Sequence, residues 1–271
     1  MLTDLKTVLK AKNRAIAAFN IYNAETVLAV YQVAVQEEKP IIFAFGESYM
    51  GLMPIGMIAK MVRYLVEMTP IPMVLHLDHA RSMESIQKAV NAGFTSVMFD
   101  GSGFSLDENI RQTKAVVNLV SPCGVSVEGE LGYLNPEDGS TGQTGATNPD
   151  QARQFVTETG IDALAVAIGN AHGLYRGEPR LDFGALEKIK ANVNVPLVLH
   201  GASGISDDQL KRAIKKGIQK INFNTEISLG AVSAMRKQLQ TEAYPLRYEK
   251  VIENTIQNIQ ESMRQIVEKI S

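Results

Sequence analysis

Short apolar runs alternate with longer amphipathic stretches from residue 15 to about residue 240. That rhythm predicts repeated βα units, with parallel strands covered by helices. Eight runs read as strands, at 15–19, 41–45, 73–78, 96–100, 125–130, 163–168, 196–200 and 218–222. Eight such strands close a parallel barrel, and a chain of 271 residues is close to the roughly 250 that one (β/α)8 barrel uses. The expected architecture is therefore a TIM barrel spanning residues 1–271 as one domain, with a C-terminal helical extension. After the first strand, Val27, Tyr31, Ala34 and Val35 recur at helical spacing on a face suited to pack on the sheet. Capping signals agree: Ser105 with Glu108, Asn148 with Gln151 behind Pro149, and Ser206 with Gln209 each set an oxygen acceptor before a helix and a partner at N3. Gly93, Gly160 and Gly217 follow helical runs where a left-handed residue is wanted.

Two segments depart from the rhythm. Residues 134–148, LNPEDGSTGQTGATN, are polar and too long for an ordinary βα connection, which makes them a candidate lid. Near the C-terminus, Ile252, Ile256, Ile259, Met263, Ile266 and Ile270 recur at steps of four and three. Such a seam packs either on the barrel or on another subunit.

Composition narrows the function classes. Hydrophobic residues make up 45% and charged residues 21%, with 27 basic against 29 acidic side chains and a formal net charge of -2. No long run of either sign gives a footprint for nucleic acid or an anionic membrane surface, so a small-molecule substrate is expected. Cys123 stands alone, which excludes an internal disulfide and a cysteine-held metal. Neither a signal-peptide-like apolar run at the N-terminus nor a membrane-spanning stretch is present, and the cytoplasm is the expected address.

The four histidines stand at 76, 79, 172 and 200, and three of them fall at or just after a strand end. In a barrel these positions share one mouth, so His79, His172 and His200 are positioned to converge on one ion. Three protein ligands with an open position are the mark of a catalytic zinc. His76 and Asp78 alternate on strand three and share a face; His76 is expected to steady Asp78 from behind, or else to belong to a polar layer filling the barrel. Asp78, beside a cation, is a candidate acid/base for a substrate hydroxyl. Glu128 and Glu130 share a face of strand five, and Glu137 and Asp138 lie on the lid-like segment. The turns GNAHG (169–173), HGASG (200–204) and NFNTE (222–226) occupy late strand ends, where barrels bind phosphate through backbone N–H groups and small hydroxyls. Gly201, Ser203, Asn222 and Thr225 are the candidates.

At these residues the chain resembles the class II fructose-bisphosphate and tagatose-bisphosphate aldolase family over almost its full length. The resemblance is carried by HLDH (76–79), DGS (100–102) with ENI (108–110), VEGELG (127–132), AIGNAHGLY (167–175), LHGASG (199–204) and INFNTE (221–226). It implies zinc on His79, His172 and His200, Asp78 as acid/base at the substrate C4 hydroxyl, and Glu137, or Asp138 beside it, as the loop carboxylate that exchanges a proton with carbon. It further implies Glu130 near the metal, a C1-phosphate site at Gly173, Gly201, Ser203, Asn222 and Thr225 with a monovalent cation close by, and substrate contacts from Asn23 and Ser48. The expected reaction is reversible cleavage of a ketose phosphate to dihydroxyacetone phosphate and an aldehyde, by a homodimer or homotetramer. Two departures stand out: Gly103 where the family often has histidine, and Asn170 where it has threonine, both expected to reshape the aldehyde end of the pocket. The resemblance also implies a basic residue for the distal phosphate from the C-terminal region, where Arg247 is the candidate. Two rival readings are a Schiff-base aldolase using Lys220 on strand eight, and a phosphosugar-binding barrel without turnover.

Overall fold

A computed structural model describes the chain apart from residues 11–13, 133–144, 174, 176 and 242–245. The strands are β1 (Ile16–Asn20), β2 (Ile42–Gly46), β3 (Val74–Ala80), β4 (Ser96–Phe99), β5 (Ser126–Leu131), β6 (Ala163–Val166), β7 (Leu197–Leu199) and β8 (Ile218–Phe223). They pair in parallel in sequence order, and β8 returns to β1 to close the barrel. The helices are α1 (Leu5–Val8), α2 (Ala24–Gln36), α3 (Ile55–Val66), α4 (Met83–Ala92) and α5 (Leu106–Val120), followed by α6 (Pro149–Thr159), α7 (Phe183–Asn192), α8 (Asp207–Lys215), α9 (Thr225–Thr241) and α10 (Tyr248–Ile270). The expected (β/α)8 architecture with its C-terminal helix is the one observed.

Alternation along each strand builds two cores. Outward residues such as Phe19, Phe43, Leu75, Phe99 and Ile221 meet the helices in the larger one. Inward residues Ile16, Ala18, Ile42, Ala44, Val74, Met98, Ala163, Ala165 and Val198 fill the barrel from within, closed at one end by Leu5, Val8 and Leu9 of the α1 segment. Toward the C-terminal strand ends the inward positions turn polar: Asn20 follows Ala18, His76 and Asp78 follow Val74, and Glu128 and Glu130 follow Ser126. The chemistry therefore sits on an apolar plug.

The C-terminal seam packs on its own barrel. Ile259, Met263, Ile266, Val267 and Ile270 are buried in the larger core, with α10 lying against α9, α2, α8 and β1. Of the expected caps, Ser105 and Asn148 accept from the backbone N–H groups of Glu108 and Gln151, and Gly93, Gly160 and Gly217 have positive φ. Ser206 makes no capping bond. Its expected partner Gln209 makes only a long 3.5 Å contact to Ser206 Oγ and is held by the 179–181 backbone, donating to Pro179 O at 2.8 Å and accepting from Leu181 N at 2.9 Å, an amide-to-backbone match that satisfies two main-chain groups at once. Among the described residues no helix is long and apolar enough to cross a membrane.

Candidate active site

A cleft of about 200 Å³ opens at the C-terminal ends of the strands. Adjacent residues on a regular strand face opposite ways, yet Asp78 and His79 both line this cleft. The cause is a bulge: Leu77 pairs with Val97 and Ala80 with Phe99, so three steps on β3 match two on β4. His79 takes φ of 49°, unusual for a residue with a side chain, and this turns its ring into the mouth.

His79, His172 and His200 come together. Their ring centroids lie 4.8 Å (79 to 172), 4.6 Å (79 to 200) and 6.0 Å (172 to 200) apart, and one nitrogen from each falls within 4.8 Å of the others. The surrounding acids decide which nitrogens carry lone pairs. Glu128 Oε1 accepts from His200 Nε2 at 2.8 Å, which leaves His200 Nδ1 bare. On the other ring, Asp100 Oδ2 lies 3.4 Å from His79 Nδ1, leaving His79 Nε2 bare. These two bare nitrogens face each other at 3.0 Å, and His172 Nε2 is buried without a partner. Lone pairs converging in this way repel unless a cation lies among them, so the donor set fits a zinc ion. Without metal the cation is a proton: burial pushes His79 down, but Asp78, Asp100 and Glu130 outweigh it and raise the ring to about 9. Burial, then the neighbouring histidines, lower His172 to about 3.

Asp78 is buried, and Asn20 and Asn222 each donate a side-chain N–H to it, at 3.0 and 3.1 Å. Burial pushes its carboxyl up, but His79, His200 and Lys220 outweigh this and hold it well below the usual range. Glu130 has a buried oxygen without a partner and lies 3.6 Å from His79 Nδ1. Burial and then the Asp100 charge raise it to about 8. His79, Asp100 and Glu130 form a second ligand-capable group on the other edge of the His79 ring.

The remaining expected residues divide. Ser48, Gly173, Gly201, Ser203, Asn222 and Thr225 all line the cleft. At Gly201, φ is 61° and a Cβ would stand 2.1 Å from Ala171 O, so only glycine brings the backbone this close. Thr225 opens α9 at the cleft, where the positive end of the helix favours an anion and Glu226 N donates to Ser203 Oγ at 3.4 Å. Asn222 bonds Asp78, which ties it to the acid/base as well. Asn23 is not among the lining residues; its side-chain oxygen caps α2 by accepting from Thr26 N at 3.1 Å. Asn20 takes the place on the cleft. His76 bonds Ser96 at 2.8 Å and faces Lys220 at 3.4 Å, so it supports the buried charge cluster and has no direct bond to Asp78. Arg247 lies at the exposed start of α10, paired with Glu249, away from the cleft. Glu137 and Asp138 lie outside the described residues.

Two further readings of the sequence change. Asn170 is buried and does not line the cleft; its amide accepts from Ile168 N at 2.8 Å and donates to His200 O at 3.0 Å, stitching the ends of β6 and β7 together. Lys220 is fully buried and held by Glu128 at 2.7 Å, beneath the histidines and without access to a substrate carbonyl, which removes the imine reading. Sequence reasoning missed Asn20, Arg81 and the part played by Asp100. For Asn20 and Asp100 a signal existed: each continues an inward alternation, Ile16–Ala18–Asn20 and Met98–Asp100.

Comparisons with known proteins point to one family. A sequence model described as "Fructose-bisphosphate aldolase class-II" matches residues 2–271. The crystal structure of the YdjI aldolase from Escherichia coli K12 superposes with a TM-score of 0.90 at 37% identity, covering 100% of this chain and 98% of that one. A 6-phospho-5-dehydro-2-deoxy-D-gluconate aldolase from Shouchella clausii (strain KSM-K16) is 43% identical over 233 residues, 84% of this chain and 79% of that protein. The D-tagatose-1,6-bisphosphate aldolase subunit GatY of Klebsiella oxytoca is 40% identical over 242 residues, 87% of this chain and 85% of that protein.

Proposed function

The chain belongs to the class II fructose-bisphosphate aldolase family and is a class II aldolase; on that premise we propose that it reversibly cleaves a ketose phosphate, fructose 1,6-bisphosphate or tagatose 1,6-bisphosphate, to dihydroxyacetone phosphate and an aldehyde such as glyceraldehyde 3-phosphate. The observation that carries this reading is the shared cleft of Asp78, three convergent imidazoles and a glycine-built cradle at the start of α9. His79, His172 and His200 would hold the zinc. A zinc ion held there would supply the electron sink that a ketose carbonyl needs for the C3–C4 bond to break. Asp78, ionised and oriented by Asn20 and Asn222, takes the C4 hydroxyl proton as that bond breaks. Gly173, Gly201, Ser203 and Thr225 hold the C1 phosphate. Glu137, or Asp138 beside it, returns a proton to C3. The named relatives, one a phosphogluconate-type aldolase and one a tagatose-bisphosphate aldolase subunit, support a phosphorylated sugar and keep another ketose 1-phosphate as the alternative. A homodimer or homotetramer in the cytoplasm is the proposed working form, supported by the exposed Leu229, Val232 and Leu239 on one face of α9.

The test is a cleavage assay over a panel of ketose phosphates, coupled to detection of dihydroxyacetone phosphate. One bisphosphate should turn over, and Asp78→Ala should lower kcat by about 10²-fold or more while zinc content stays near that of the parent. Failure of every ketose 1-phosphate in the panel refutes the assignment. Deuterium exchange into dihydroxyacetone phosphate alone should fall in Glu137→Ala; a collapse in Asp138→Ala instead moves the role by one residue.

A further inference from the structure

In a closed barrel of eight strands in sequence order, the end of β3 lies diametrically across the mouth from the end of β7. The phosphate cradle follows β6, β7 and β8, through Gly173, Gly201, Ser203 and Thr225. Asp78 and His79 project from β3 while His172 and His200 come from the ends of β6 and β7, so the imidazoles meet across the mouth. A substrate anchored in the cradle, with its reacting carbons at Asp78, therefore directs its other end toward β3.

The first residue beyond β3 is Arg81, and it is the only lysine or arginine among the described residues that line the cleft. Its position is built. The backbone N–H donates to Glu47 Oε2 at 2.9 Å, while Nε and Nη2 both donate to Asp100 Oδ2, at 3.2 and 3.1 Å. Both side-chain bonds use one side of the guanidinium. Nη1 has no partner among the described residues, and the side chain is 71% exposed. Ser48 offers a hydroxyl on the same side, after β2. A guanidinium tethered at one edge, with its other edge open to a cleft, is a ready fork for a carboxylate or phosphate.

We propose that Arg81 receives an acidic group at the end of the substrate remote from the cradle, so that the enzyme selects ketoses with an anion at each end. This rests on the ketose 1-phosphate reading and names the residue that sets specificity within it. The remote acid is a phosphate or a carboxylate, the two groups that share this recognition chemistry.

The experiment runs the reaction in the direction of synthesis. Dihydroxyacetone phosphate is condensed with glyceraldehyde 3-phosphate, succinic semialdehyde or uncharged D-glyceraldehyde by the zinc-loaded parent, Arg81→Gln and Arg81→Lys. The parent should favour one acidic aldehyde, and which one identifies the remote group. In Arg81→Gln the acidic-to-neutral ratio of kcat/KM should fall by about 10- to 100-fold, the range of a charge-assisted hydrogen bond, mainly through KM. Arg81→Lys should recover part of it. A residue acting only by holding Asp100 would slow all three aldehydes by one factor; that result, or no acidic preference in the parent, overturns the proposal. Should the variants lose zinc, the parent alone decides: its KM for the favoured acidic aldehyde should rise with salt while that for glyceraldehyde holds, and equal salt responses refute the role. Deuterium exchange into dihydroxyacetone phosphate needs no aldehyde. Exchange without acidic preference refutes Arg81 alone, whereas absence of exchange refutes the ketose 1-phosphate reading beneath it.

Discussion

His76 shows how the buried cluster keeps its protons in order. Lys220 can only donate, so His76 Nε2, 3.4 Å away, accepts, and the ring proton on Nδ1 goes to Ser96. Burial, and then the charge of Lys220, lower this ring from 6.5 to about 3. A folded-state value below the unfolded one gives stability that is fully present above pH 6.5 and is lost as pH falls toward 3. Between pH 6.5 and 4.5 His76 alone should account for about 2 kcal/mol of lost stability. Urea denaturation at these two pH values should therefore show a smaller acid loss in His76→Gln than in the parent; equal losses would contradict the assignment. The three convergent histidines and Asp78 were legible in the sequence because scarce residue types stood at strand ends. Asn20 was legible only as an inward position, since its partner Asp78 stands 58 positions away, and Arg81 was not legible at all, because what gives it meaning is its contact with Asp100 on the neighbouring strand end.

At the scale of elements, α10 closes the helical ring beside α2, and its buried stripe is the reason. Ile259 is 2% exposed in the larger core, so Ile259→Ala should cost about 2–5 kcal/mol of stability while kcat per folded molecule changes little. A loss under about 1 kcal/mol in a denaturant titration would mean that the stripe is not an integral part of the core. The spacing of that stripe was plain in the sequence, but its partner was not, since an apolar seam looks the same whether it meets its own barrel or another subunit. Strand positions were legible to within one or two residues because apolar runs bounded by turns leave little freedom. The bulge in β3 was invisible: nothing in HLDHA marks an extra residue until β4 is laid beside it.

For the molecule as a whole, the count of eight strands carried closure, and the convergence of histidines followed from closure. The barrel is expected to fold without the metal, since the plug of Ile16, Val74, Met98 and Val198 is apolar and includes none of the imidazoles. Chelation should thus abolish turnover and lower Tm without unfolding the protein, and zinc should restore both; at about 1,000 times Kd, bound metal contributes roughly 4 kcal/mol. Full activity in exhaustively chelated protein would remove zinc from the mechanism. The bulge also bears on how portable this chemistry is. Transplanting the pair Asp78 and His79 onto a regular strand of another barrel would send one side chain to the mouth and the other into the helical layer. The transferable unit is the irregular backbone of β3, together with the pairing partner that accommodates its additional residue. A designed barrel that copies the side chains and straightens the strand should therefore bind zinc weakly and leave the acid/base stranded from it.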